Sequence, residues 1–198
     1  CRDERRPAYG AVIFRLVLCE EMLSRGMAAD FRACRSIFFP EGGGQFGDQG
    51  WIDGIKVTDT HEKNGVIYHE TEAPIAVGTE VKGELDYKER FSRMQQHTGE
   101  HMLSGIIHRL YGYDNVGFHL GAAETTMDFN GELTPEQVRE VETLANQAVW
   151  DNIPVEILYP TKEELASMDY RSKIEIEGQV RIVRIGDVDM CACCAPHV

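Results

Sequence analysis

From residue 42 to residue 86 the apolar residues come in short runs broken by turn-forming ones: "WIDGIKVTD", "GVIYHETEA" and "VGTEVKGELD". Runs of this length between Gly, Asn and Asp clusters read as β-strands, and no helical period competes with them. Asn64-Gly65 fits a two-residue hairpin turn, because both positions tolerate positive φ. Several short strands close most simply as a small barrel or curled sheet. The period changes near Tyr87. Phe91, Met94, Met102, Leu103, Ile106, Ile107 and Leu110 then fall on a helical stripe between Lys88 and Leu110. A second helix is predicted from Thr134, with Pro135 at its first position and Gln137 closing a capping box. Its apolar face would be Val138, Val141, Leu144, Ala145 and Ala148. Thr161 and Glu164 form the capping box of a shorter helix, and strands are predicted at "VGFHLG", "ETTMDFN", "VEILYP" and "QVRIVRIG".

The expected fold class is therefore α+β. A small β-barrel-like N-terminal domain over residues 1–86 precedes an α+β domain over residues 87–198. Residues 1–35 show neither clean alternation nor a long helical stripe and carry no firm assignment. Within them, Ala11 to Cys19 is too short for a membrane span, is interrupted by Arg15, and is followed by no signal-cleavage pattern. It reads as a buried strand.

Composition narrows the function. Acidic residues outnumber basic ones 33 to 20, a net charge of −13. That excludes broad adhesion to nucleic acid, which needs a basic field. It leaves room for a small, local contact with one end of an RNA, through Lys88, Arg90 and Arg93 or through Arg171, Lys173, Arg181 and Arg184. Three of the six cysteines crowd the C-terminal end, and the others are scattered. This is no disulfide framework, and a reducing, cytoplasmic setting fits it better.

Two pairs carry the candidate chemistry. His97 and His101 sit four apart on the long helix, in "HTGEH". Side chains at that spacing share one face and can chelate one small cation. Cys193 and His197 repeat the spacing in "CACCAPHV". A cysteine with three histidines matches the tetrahedral nitrogen–sulfur preference of zinc. Chemistry alone leaves Cys191 and Cys194 open as the thiolate ligand. A zinc-protease reading fails, because its glutamate directly follows the first histidine. Here Thr98 holds that place, and Glu100 lies about 200° further round the helix.

The segment "FFPEGGGQFGDQG", residues 38–50, allows backbone shapes that other residues forbid. No Lys-Ser/Thr and no helix follow it, so it is not a phosphate loop. Read alone, it serves equally well as a tight turn opening the barrel. Together with "MQQHTGEHMLSG" and "CCAPHV", in that order, it resembles the AlaX family, free-standing relatives of the editing domain of alanyl-tRNA synthetase. The resemblance covers residues from about 36 to 198. It implies a β-rich domain carrying the glycine motif and an α+β editing domain. It also implies zinc held by His97, His101, Cys193 and His197, which selects Cys193 over its neighbours. Gln45, with Gly43 and Gly44, would line the substrate pocket, and Thr98 and Thr126 are further candidates for the substrate contact. The implied activity is an ATP-independent aminoacyl-tRNA deacylase. This carboxylic ester hydrolase would clear serine or glycine from alanine-type tRNA through the acceptor end. No membrane and no stable protein partner are expected. The alternative is a noncatalytic zinc-binding module of the same fold that contacts RNA. Members of the family usually continue past the last His-Val with another strand, so the second domain is expected to be truncated here.

Overall fold

The computed structural model describes residues 36–76, 80–121, 124–172 and 178–198, with the backbone alone of residues 13–25 and 28–33. The chain divides into two units, Cys1–Arg93 and Met94–Val198. The architecture is α+β.

The first unit is built on β1 (Ile13–Arg25), β2 (Ala28–Ala33), β3 (Gly50–Ile52), β4 (Ile55–Lys63), β5 (Val66–Thr71) and β6 (Glu80–Leu85). They form a curled antiparallel sheet in the order β1-β2-β5-β4-β3-β6, which closes where β1 pairs with β6. Alternation places Ile52, Val57, Val81 and Leu85 inside, where they pack with Phe38 and Ile75. Asn64 and Gly65 turn β4 into β5 at φ of 55° and 73°, as their side chains predict. The strand read between Ala11 and Cys19 is found as the start of β1, from Ile13, while the rest of β1 and all of β2 had no assignment. Their pairing explains why: the register shifts between Cys19 and Leu23, and such a shift breaks the two-residue alternation along the strand.

The glycine stretch is a tight turn. Gly42 and Gln45 exchange both backbone hydrogen bonds, at 3.0 and 3.1 Å. Between them Gly43 and Gly44 take φ of 62° and 80°, the left-handed region that a side chain resists. The rest of the stretch is held by Asp48. Its carboxylate accepts from the backbone N–H of Phe39 at 2.6 Å and from Arg90 Nε at 2.7 and 2.8 Å. Arg90 also donates to the carbonyl of Ile37, and Arg93 to that of Gly47. These two arginines are therefore engaged with the loop.

The second unit contains most of α1 (Tyr87–Tyr111), a hairpin of β7 (Asn115–Leu120) and β8 (Thr125–Phe129), and α2 (Pro135–Trp150). It continues with β9 (Val155–Leu158), α3 (Lys162–Leu165), β10 (Ile182–Ile185) and β11 (Asp189–Ala192). The last three strands make an antiparallel sheet in the order β11-β10-β9. Thr134 and Thr161 cap α2 and α3 with both arms of a capping box, as predicted. The core lies between α1, α2 and the sheet. Met102, Ala148, Val183 and Ile185 form one cluster; Ile106, Ile107 and Val141 form another. The predicted apolar face of α2 is only partly buried: Val138 is 50% exposed and Leu144 36%. The described residues include no helix long and apolar enough to cross a membrane.

The Asp48 clamp yields a stability test. Asp48→Ala strands the largely buried Arg90 guanidinium and the Phe39 N–H, and we expect a loss of about 3–5 kcal/mol. Asp48→Asn should lose less. Urea unfolding checks both, and an Asp48→Ala midpoint equal to the parent's would show that the clamp carries no stability.

Candidate metal centre

Helix α1 supplies two of the four candidate ligands. Residues four apart stand one above the other on a helix. His97 and His101 accordingly share one buried face, with ring centroids 5.3 Å apart. Just past β11 the chain turns and brings in Cys193 and His197. Arg181 holds this turn, donating to the carbonyl of Cys193 at 2.6 Å and to that of Ala195 at 2.9 Å. Thr98 holds its far end: the hydroxyl accepts from Val198 N–H at 3.3 Å and lies 3.1 Å from His197 Nδ1.

The ring of His197 comes within 4.8 Å of that of His97 and 4.6 Å of that of His101. The potential ligand atoms of His97, His101, Cys193 and His197 all lie within 4.8 Å of one another. Bonds of about 2.0 Å to nitrogen and about 2.3 Å to sulfur set tetrahedral ligand atoms roughly 3.3–3.6 Å apart. Cys193 Sγ lies 3.6 Å from His97 Nε2, inside the range that a shared cation needs. Among the described residues, His197 Nε2 is buried without a hydrogen-bond partner, as a nitrogen reserved for a metal would be.

Electrostatics agree. Burial alone would raise the Cys193 thiol, but its contacts with the imidazoles of His101, His197 and His97 win and hold it near 3. It is a thiolate, the ligating form. Burial, opposed by Cys193, keeps His197 below its ordinary value and so favours the neutral ring. Burial also works against a charge on His101, yet Asp189, Cys193 and Glu100 outweigh it and raise that ring to about 9. The groups around His101 are thus net negative.

The three neighbouring cysteines separate clearly. Cys194 is exposed. Cys191 is buried on β11, and burial pushes its thiol up to about 12, far from the ligating form. A second grouping, His101 with Asp189 and Cys191, is weakened by that protonated thiol and by the Arg171 guanidinium on Asp189. A third, Asp59 with His61 and Glu70, is half-exposed on β4 and β5 of the first unit.

No protein-family model matches the chain. Individual proteins do. The alanyl-tRNA editing protein AlaX-L of Pyrococcus horikoshii is 39% identical over 174 residues, which cover 83% of this chain and 43% of that protein. The alanyl-tRNA editing protein Aarsd1 of Mus musculus is 31% identical over 167 residues, 82% of this chain and 40% of its own length. An alanine–tRNA ligase of Metallosphaera sedula is 35% identical over 180 residues, 83% of this chain but 20% of the ligase.

The chain belongs to the AlaX family.

It spans less than half the length of the curated AlaX relatives it matches. Within the AlaX frame, the other residues singled out from the sequence lie as follows. Gln45 is fully buried in the first unit, at the end of the Gly43-Gly44 turn. Thr98 is buried against His197 and serves its placement. Thr126 is exposed on β8, opposite His119, and is not among the four grouped residues. Arg171, Arg181 and Arg184, read as a candidate RNA contact, bind Asp189, the terminal turn, and Glu156 with Gly186, and the Arg184 side chain remains 41% exposed. Lys88 is exposed, and Lys173 lies outside the described residues. Sequence reasoning missed Asp189, Arg171 and Arg181 as supports of the centre. One signal was available for Asp189: it stands two residues before Cys191, on the buried side of an alternating strand.

We expect one divalent metal ion per chain in protein purified without added metal. The His97→Ala/His101→Ala variant should lose it, because only one thiolate and one imidazole remain. Metal analysis of both proteins is the check; equal metal content would remove these residues from the centre.

Proposed function

We propose that the protein is a zinc-dependent aminoacyl-tRNA deacylase that removes serine or glycine from mischarged alanine-type tRNA. The observation that carries this reading is the convergence of His97, His101, Cys193 and His197 in a chain whose relatives are named alanyl-tRNA editing proteins. Three nitrogens and one thiolate sulfur form the donor set that zinc prefers. The reaction adds water across the ester. The acyl carbon–oxygen bond breaks, the amino acid leaves as the free acid, and the terminal ribose hydroxyl is restored. Held by His97, His101, Cys193 and His197, zinc would supply a fixed positive charge to the site.

The AlaX resemblance assigns the substrate contact to Gln45, with Gly43 and Gly44; Thr98 and Thr126 are further candidates. A glutamine side chain can both donate and accept hydrogen bonds. Serine, glycine and alanine are too alike for one apolar pocket to separate, which is why a hydrolytic site is needed. A polar site satisfied by the serine hydroxyl would spare the methyl of alanine, since a buried polar group left unpaired costs about 1–3 kcal/mol. Glycine would enter on size alone.

The tRNA contact is expected to be small. The overall charge is −13, and Arg90, Arg93, Arg171, Arg181 and Arg184 are engaged within the protein. Recognition confined to the acceptor end fits that balance.

Side-by-side deacylation of Ser-, Gly- and Ala-charged alanine tRNA tests the activity. Ser-tRNA should be cleaved on the order of ten- to a hundredfold faster than Ala-tRNA. Equal rates would rule out a selective editing enzyme, and no cleavage of any form would favour a noncatalytic RNA-contacting module. Gln45→Ala should stay folded and lose most activity on Ser-tRNA. A parental rate would leave Gln45 as a turn residue only.

A further inference from the structure

Two buried carboxyl groups flank His101, and neither belongs to the four grouped residues. Glu100 is held on one oxygen by the Ser104 hydroxyl and the Asn115 amide, both at 2.9 Å, and its other oxygen lies 3.8 Å from His101 Nε2. Asp189 approaches from the opposite nitrogen, with Oδ2 2.9 Å from His101 Nδ1. We propose that Asp189, held by Arg171, is a positioning residue that fixes the His101 ring with its proton on Nδ1 and with Nε2 free for the metal. The inference rests on the zinc reading above and adds a residue to it.

The geometry leaves Asp189 a single role. Its side chain is 1% exposed, so water does not compete for it. Oδ1 accepts from Arg171 Nε at 2.8 Å, which leaves Oδ2 for the ring. The Arg171 guanidinium on Oδ1 is the counter-charge that an ionised carboxylate pairs with. An ionised carboxylate only accepts hydrogen bonds, so the nitrogen facing it must be the donor. A hydrogen on Nδ1 leaves the Nε2 lone pair bare, the form a metal binds.

Arg171 and Asp189 are themselves fixed. Arg171 N–H donates to Met190 O at 2.8 Å, and Ala192 N–H donates to Arg171 O at 2.9 Å, so its backbone is laced to β11. Opposite, Gly105 lets α1 lie flush on the strand. A Cβ there would stand 2.4 Å from Val188 O and 2.7 Å from Asp189 Cβ. Asp189 is enclosed between helix and guanidinium. His197, by contrast, has only the neutral hydroxyl of Thr98 on its Nδ1. His101 and His197 are therefore not equivalent: a carboxylate faces the Nδ1 of His101, a neutral hydroxyl that of His197.

The test is zinc affinity by chelator competition, together with ring ¹⁵N spectra of the zinc-loaded protein and circular dichroism of every variant. In the wild type the His101 ring should carry its hydrogen on Nδ1 and its metal on Nε2. Asp189→Asn keeps the shape and removes the charge; we expect zinc binding about 10- to 100-fold weaker. Arg171→Lys leaves the carboxylate in place and should weaken binding less, with the ring pattern unchanged. A purely structural ion pair would lower stability in both variants and leave affinity and ring pattern alone. The proposal is overturned if folded Asp189→Asn binds zinc within twofold of wild type. It is also overturned if the wild-type ring carries its metal on Nδ1, a readout that stands even where Asp189→Asn does not fold. If the wild type binds no stoichiometric zinc, the metal reading itself falls, a result distinct from either.

Discussion

Asp189, Cys193 and Glu100 crowd around His101 with Arg171 as the nearest guanidinium. Taking such groups out of water is costly, and mutual pairing must offset the cost. Much of the second unit is arranged to satisfy this condition. Arg171 is stitched to β11 so that it can face Asp189. Ser104 and Asn115 converge on Glu100, and Asn115 Nδ2 also reaches Ser104 Oγ at 3.0 Å. Three imidazoles converge on the sulfur of Cys193. A divalent cation at the point where these groups meet would complete the balance. Hydrophobic packing then plays a supporting part, since Met102, Val183 and Ile185 hold α1 on the sheet at the spacing the polar groups require.

The first unit meets a similar constraint on a smaller scale. A fourteen-residue loop, residues 36–49, carries few apolar anchors and would be poorly fixed by packing alone. Asp48 supplies the anchor by joining the loop's own backbone to Arg90. Thr60 closes the other side, donating from its hydroxyl to Asp48 O at 2.8 Å and accepting at its carbonyl from Glu41 N–H. The glycine turn is held at the edge of that frame, which leaves its geometry set by backbone bonds and not by side-chain packing.

Local features were legible in the sequence wherever the signal is local. The stripe of α1, the two capping boxes, the Asn64-Gly65 turn and the 97/101 and 193/197 pairs each depend on residues within a few positions of one another. What could not be read depends on partners far along the chain. The alternation of β1 is broken by its own register shift. The short strand β11 carries a buried aspartate where the pattern expects an apolar residue, and that aspartate makes sense only opposite His101. Charge was the most misleading signal. Arg90, Arg171 and Arg181 look like solvent-facing basic residues, and each is spent on a carboxylate or on backbone carbonyls inside its own unit. A sequence shows that a cation is present but not whether it has been claimed.

The distance along the chain between the two halves of the centre has a consequence for the order of assembly. His97 and Cys193 are 96 residues apart, Thr98 and His197 99, and His101 and Asp189 88. The histidine pair can form as soon as α1 winds, but contacts this remote are slow to make because the intervening chain must be ordered first. Until β10 and β11 have docked, a metal ion finds two imidazoles and nothing else. Tight capture of such an ion would therefore come late, after the sheet is in place. An ion that binds only the finished arrangement then stabilises it by mass action. Metal occupancy would thus serve as a record of completed folding, separating chains that have closed the second unit from those that have not.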